Sequence, residues 1–189
     1  MMIKAYRWVL YATVVLVANA AVADVSKLEA LRDGSMKKLV FHSEAQEVSE
    51  EAFLAEDGAE MQLSDLAGQY ILLNFWATWC APCLKEMPSL NALQRDLGSA
   101  NFRVVTVATG RNPEAAINRF FDENDISELP RYRDPKQRLS RAMAVLGLPI
   151  SVIIDPDGNE IARLRGDAEW DSESARAIVQ AMTEQVASN

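Results

Sequence analysis

Residues 70–76, Tyr-Ile-Leu-Leu-Asn-Phe-Trp, form an apolar run broken only by Asn74. Successive side chains of a strand point to opposite faces, so a run that is apolar at both parities belongs to a strand covered on both sides. That requirement implies a central strand with helices on either face, an α/β arrangement. The segments that follow fit it. Leu84, Met87, Leu90, Leu93 and Leu97 fall largely on one helical face, and Phe102–Thr109 is a β-branched strand. Asn112-Pro113-Glu114 starts another helix with Ile117, Phe120 and Phe121 as its apolar stripe. Pro135 to Leu146 suits a further helix, with Gly147 just past its end. Ser151–Ile154 and Glu160–Leu164 flank Pro156-Asp157-Gly158 as a hairpin. Asp171 can cap a last helix carrying Ala175, Ile178, Val179, Met182 and Val186. The order predicts a central mixed sheet flanked by helices.

Upstream, Ala52-Phe53-Leu54 and Met61-Gln62-Leu63 bracket Asp57-Gly58 and predict an N-terminal hairpin. Ser64 can cap the short turn Asp65-Leu66-Ala67, which Gly68 ends. Residues 24–46, with Leu28, Leu31, Met36 and Leu39 at loosely helical spacing, are expected to form a helical extension and linker into a domain spanning 47–189.

Residues 1–23 have the character of a signal peptide. Lys4 and Arg7 form a basic start, an apolar run follows from Trp8 to Ala18, and Ala21-Val22-Ala23 supplies small residues for cleavage before Asp24. The alternative is an uncleaved anchor, but Trp8 to Ala23 is only 16 residues, and a spanning helix needs about 20. Either outcome is expected to place the domain outside the cytoplasm. Removing 1–23 takes away two positive charges and moves the net charge from −8 to −10, which argues against binding nucleic acid.

The chain has two cysteines, Cys80 and Cys83. A bridge between them closes a very short loop, worth ~2 kcal/mol in the chain-entropy model against ~3 kcal/mol for a 15-residue loop. Chemistry explains the pair better than stability. Trp79-Cys80-Ala81-Pro82-Cys83 falls where the buried strand ends and the helix of Leu84 begins. Backbone N–H groups at a helix start lack partners and carry the positive dipole end, so they favour a thiolate. Cys80, the outer member, is expected to attack a substrate disulfide, and Cys83 to resolve the mixed disulfide. Zinc wants about four ligands; beyond this pair and the carboxylates the chain offers only His42, so no metal site is expected.

The segment Asn74-Phe75-Trp76-Ala77-Thr78-Trp79-Cys80-Ala81-Pro82-Cys83-Leu84-Lys85-Glu86-Met87-Pro88 resembles the active-site region of the TlpA/ResA-like thiol:disulfide oxidoreductases of the thioredoxin superfamily. The resemblance continues through Gly147-Leu148-Pro149, Pro156-Asp157-Gly158 and Gly166-Asp167-Ala168-Glu169-Trp170, this later part being most similar to the alphaproteobacterial TlpA branch. It spans about Phe53 to Met182. It implies a thioredoxin-like fold with an insertion near 112–133. It also implies a cis Pro149 facing the cysteines, and a substrate surface made by Trp79, Pro82, Leu148 and Pro149, where an extended client segment pairs with backbone. Pro88 is expected to kink the helix.

Glu86 lies three residues after Cys83, so both can face one side of the helix. On its own it reads equally as a solvated glutamate; the resemblance implies that it moves protons during exchange. Asn74 stands where cytoplasmic thioredoxins have a buried Asp, which leaves Glu86 as the substitute. Trp76 reads as core or as a shield for the sulfurs, and His42 and Trp170 as structural.

The implied activity is a periplasmic disulfide reductase with no cofactor beyond its own redox-active disulfide. It would keep client cysteines reduced during copper-site assembly of cytochrome oxidase or during cytochrome c maturation. Its implied partners are a copper chaperone, the oxidase copper subunit or apocytochrome c as clients, and a membrane thiol electron donor; it is expected to be a monomer. A general periplasmic oxidant or isomerase uses the same motif, and Ala81-Pro82 does not reveal the direction. A peroxidase would need Pro-x-x-x-Thr/Ser-x-x-Cys, and Leu73 and Ala77 occupy those positions. A non-enzymatic copper chaperone would space its cysteines by three residues and add a downstream histidine; neither is present.

Overall fold

A computed structural model gives the structure of residues 25–187. The expected export segment and the side chain of Val186 lie outside the described residues. The elements are α1 (residues 25–30), a 3₁₀ turn at Gly34–Lys38, β1 (Leu39–Glu47), β2 (Phe53–Leu54), β3 (Glu60–Met61), a 3₁₀ turn at Leu63–Leu66, β4 (Tyr70–Trp76), α2 (Ala81–Leu97) and β5 (Phe102–Thr109). They continue with α3 (Glu114–Glu123), β6 (Tyr132–Asp134), α4 (Arg138–Ala142), β7 (Ile150–Ile154), β8 (Asn159–Arg165) and α5 (Glu173–Ala187).

The strands form one mixed sheet in the order β1-β8-β7-β4-β5-β6-β2-β3. β4 is its central strand, parallel to β5 and antiparallel to β7, and every residue in it is buried. Its two faces supply separate cores. Leu72 and Trp76 pack in one cluster with Cys83, Met87, Leu90, Ile178 and Met182 of α2 and α5. Ile71, Leu73 and Phe75 belong to the other, with Val105, Val107, Leu139 and Met143. Both layers form because β4 carries apolar residues at both parities.

The predicted hairpins are present at 53–61 and 150–165. Gly58 and Gly158 take φ of +86° and +87° in their turns, a region where glycine meets no steric cost. The segment near 112–133 holds α3 and leads into β6, which extends the sheet beside β5.

Four elements differ from expectation. The 3₁₀ turn at Leu63–Leu66 starts after Gln62, whose N–H donates to the Asp65 carboxylate at 2.8 Å, so Ser64 lies inside the turn and does not cap it. Residues 39–47 are an edge strand, not a linker: β1 pairs antiparallel with β8, from Leu39 opposite Leu164 to Glu47 opposite Asn159. Leu39 and Phe41 point inward and Val40 outward, an alternation too brief to stand out in the sequence. The helix expected over 135–146 shrinks to α4. The Asp134 carboxylate accepts the N–H groups of Arg138 and Ser140, both at 2.9 Å, and so fixes the helix start after Gln137. Ala144, at φ +52°, ends it. At α5, Ser172 rather than Asp171 accepts the Ala175 N–H, at 3.3 Å.

Candidate active site

β4 stops at Trp76, and Ala77, Thr78 and Trp79 carry the chain to Cys80, the N-cap of α2. The Cys83 N–H donates to the Cys80 sulfur at 3.3 Å. The two residues form a disulfide with Cα atoms 5.3 Å apart. Cys80 retains 6% exposure and Cys83 none, so Cys80 alone reaches the surface. Of the pair, Cys80 is the member open to an incoming group. Trp79, 65% exposed, projects beside it, and Pro82 is exposed in the first turn of α2. Pro88 lies inside α2, where it cannot donate the usual helical hydrogen bond.

The β4–β7 register places Phe75 opposite Ile150, so Pro149 comes next to the exit of β4 into the motif. The Leu148–Pro149 peptide is cis. Pro149 is buried and Leu148 half-buried. The Pro149 carbonyl accepts the Gly166 N–H at 3.0 Å, which ties this loop to the end of β8. Register thus brings the Leu148–Pro149 loop to the end of β4 from which the Trp79–Cys83 motif departs.

Glu86 is one of the few buried charged side chains, 2% exposed. Its Oε1 accepts from Asn74 Nδ2 at 2.8 Å. Its Oε2 accepts from the Ala168 N–H at 3.0 Å and from the Trp170 indole Nε1 at 3.2 Å. Burial pushes its carboxyl up to about 7, against the three hydrogen bonds that favour the ionised form; the charge of Asp167 adds to the rise. A group titrating there can take or give a proton near neutrality. A cleft of about 320 Å³, lined by Ser35, Lys38, Lys85, Ser89, Asp167 and Glu169 among others, reaches Glu86 from outside. Asp167 is held below the usual carboxylate range by Lys85, which bonds it at 3.3 Å.

Two residues at this site were not identified by sequence reading. Trp170, taken as structural, is a direct partner of Glu86. Asn112 fixes the reactive loop: its Oδ1 accepts the Thr78 N–H at 2.7 Å and the Thr78 hydroxyl at 3.0 Å, while its Nδ2 donates to the Thr109 carbonyl at 2.8 Å. A polar residue just past a buried strand and just before the Pro113 helix start is the only local signal for it. His42 is remote from the cysteines in function: its Nε2 pairs with Glu160 at 2.8 Å across β1 and β8. Among the described residues no group of three or more His, Cys, Asp or Glu side chains is arranged to hold a metal ion.

The AhpC/TSA family profile matches residues 42–161. The thiol-disulfide oxidoreductase ResA of Bacillus thuringiensis subsp. konkukian is 31% identical over 128 residues, covering 66% of this chain and 73% of that protein. ResA of Bacillus subtilis is 32% identical over 116 residues, covering 60% and 64%. Among solved structures, one described as a thiol:disulfide interchange protein DsbE from Chlorobium tepidum superposes with a TM-score of 0.64 at 27% identity, covering 74% of this chain and 96% of that one. The exposed lipoprotein thioredoxin Etrx1 of Streptococcus pneumoniae gives a TM-score of 0.58 at 28% identity, covering 72% and 99%. The positions that would carry peroxide chemistry are Leu73 and Ala77, both apolar and fully buried. The chain belongs to the AhpC/TSA family, and its kin, its thioredoxin fold and its Cys80–Cys83 disulfide make it a thiol:disulfide oxidoreductase.

Proposed function

We propose that this protein is an extracytoplasmic disulfide reductase in which Cys80 attacks, Cys83 resolves and Glu86 carries the proton. The observation that carries the reading is the Glu86 carboxyl, buried on the same helix as Cys83 and titrating near 7. In the reduced enzyme the Cys80 thiolate attacks a client disulfide, forms the mixed disulfide and releases one client thiolate. Cys83 then gives its proton to the Glu86 carboxylate, and its thiolate attacks the Cys80 sulfur. The Cys80–Cys83 bond forms, the Cys80–client bond breaks, and the second client thiolate leaves. Each client thiolate takes a proton from solvent. Two electrons have passed from the enzyme pair to the client.

Two effects bear on the couple, each at a different sulfur. The helix start favours a Cys80 thiolate by typically ~1 kcal/mol. An ionised Glu86, three residues after Cys83, disfavours a Cys83 thiolate, by roughly 0.2–0.5 kcal/mol for like charges at that helical spacing, and so keeps the resolving thiol protonated until Glu86 can take its proton.

The clients on this reading present closely spaced cysteines: the copper-binding cysteines of cytochrome oxidase and its copper chaperone, or the haem-attachment cysteines of apocytochrome c. Electrons come from a membrane thiol carrier, since the periplasm is kept oxidising. The basic start, apolar run and Ala21-Val22-Ala23 support export. The test is the equilibrium potential of the Cys80–Cys83 couple against glutathione or dithiothreitol. A value at or below about −220 mV is expected, and one near the −120 mV of a strong periplasmic oxidant overturns the reductase direction. Cys83→Ser, which leaves Cys80 unable to release its partner, should trap a copper-site or cytochrome protein; only random secreted proteins in the trap would refute the client class.

A further inference from the structure

Asn74 on β4 and Glu86 on α2 meet in the interior, 0% and 2% exposed. All three partners of the Glu86 carboxyl donate to it. That arrangement suits the ionised form alone. A protonated carboxyl carries an O–H that needs an acceptor, and neither a backbone N–H nor an indole N–H can become one. Asn74 can. Its Oδ1 is buried without a hydrogen-bond partner, and half a turn about its last side-chain torsion exchanges Oδ1 with Nδ2. Ser151 Oγ accepts from Nδ2 at 2.9 Å; as a hydroxyl it can donate to Oδ1 after the turn. The other unpartnered buried atom, Trp76 Nε1, is a donor and cannot serve.

We propose that Asn74 is a positioning residue whose amide turns over with the proton on Glu86, presenting nitrogen to the carboxylate and oxygen to the acid. The inference rests on the reading of Glu86 as the proton carrier and supplies that carrier with a partner in both states. The turn replaces an unpartnered carbonyl oxygen by an unpartnered amide NH₂, so each state leaves one end of the amide unsatisfied. A carboxylate at residue 74 would repel Glu86, and an aliphatic residue could neither donate nor accept. The charged groups facing Glu86 from the cleft are Lys85 on its own helix, Asp167 and Glu169 after β8, and Lys38 before β1. They bias the midpoint of the titration, Asp167 upward; the turn itself belongs to Asn74.

The experiment is a side-chain NMR titration of the full chain, carrying ¹⁵N-asparagine and ¹³C-glutamate, from about pH 5 to about pH 9. The Asn74 amide signals should move with the same midpoint as the Glu86 carboxyl carbon. Contacts between the Asn74 amide hydrogens and the Ser151 β-hydrogens should be present above the midpoint and lost below it. In Glu86→Gln the Asn74 signals should no longer titrate. Asn74 signals or contacts that stay constant while Glu86 titrates overturn the proposal, and this readout needs only the unaltered protein. Exchange kinetics separate the two ideas. If Glu86→Gln resolves mixed disulfides at the parent rate while Asn74 still follows Glu86, the catalytic reading fails and the amide switch stands. If Glu86→Gln is slow and Asn74 is static, the switch fails alone.

Discussion

Glu86 makes folding stability depend on pH in a direction opposite to most carboxylates. Its proton leaves near 4.5 in the unfolded chain and near 7 in the folded one. Between those values the folded state holds a proton that the unfolded state has lost. Stability therefore falls as pH rises through this window and levels off above it, by about 3 kcal/mol for a difference of about 2.5 units. Gln does not titrate, so Glu86→Gln should remove that slope and leave the variant more stable than the parent at pH 8, by up to about 3 kcal/mol in urea unfolding. A parent–variant difference that does not change with pH would contradict the placement of this proton. The same variant should resolve mixed disulfides about a hundredfold more slowly, the lower end for loss of a general base. At this scale the sequence was informative where residues are close along the chain. Cys83 and Glu86 lie three residues apart on α2, and Cys80 caps its start. Trp170 and Ala168 reach Glu86 from 84 and 82 positions away. No local pattern encodes such contacts, which is why Trp170 read as structural.

Among the elements, the strands with long apolar patterns were legible to the residue: β4 and β5 have the predicted ends. β1 was not, because its alternation covers only Leu39–Phe41 and polar residues follow. A charge cluster centred on a buried carboxylate adds to the pairing of β1 with β8. Glu160 on β8, 3% exposed, takes Arg163 at 2.7 Å on each oxygen and His42 of β1 at 2.8 Å. Burial alone would raise the Glu160 carboxyl, but its bonds to Arg163 and His42 win and hold it below the usual range. Its contribution is thus present at neutral pH and is lost as the solution is acidified below the ordinary carboxylate range. Glu160→Ala should cost about 2–3 kcal/mol in urea unfolding, because the half-buried Arg163 loses its carboxylate and keeps only the Met143 carbonyl, at 2.8 Å. Replacing Glu160 and Arg163 together by Met should recover most of it. A loss below about 1 kcal/mol for the single variant would make the cluster an ordinary surface pair. α4 was overextended in the sequence reading for a similar reason: Asp134 caps it from inside a strand, and that side-chain geometry leaves no trace in helical periodicity.

The whole molecule is a sheet built around β4 to deliver one helix start to the surface. The parallel β4–α2–β5 unit aims the first turn of α2 at the strand's carboxyl end, β7 brings Pro149 alongside, and the loop after β8 closes over Glu86. The fold class was legible because β4 demands two covering layers. The expectation of a substrate side rests on resemblance alone, since nothing local joins Trp79 to Leu148 across more than sixty residues of chain. On the proposed mechanism electrons enter and leave through Cys80, the one cysteine of the pair that reaches the surface, with Cys83 as resolver. Single-turnover exchange of the reduced full chain with a disulfide-bonded peptide tests it most directly, followed by mass spectrometry of quenched samples. Cys80→Ser should form no mixed disulfide and leave the peptide oxidised, whereas Cys83→Ser should accumulate a peptide adduct at Cys80. Peptide reduction by Cys80→Ser at the parent rate would contradict the account.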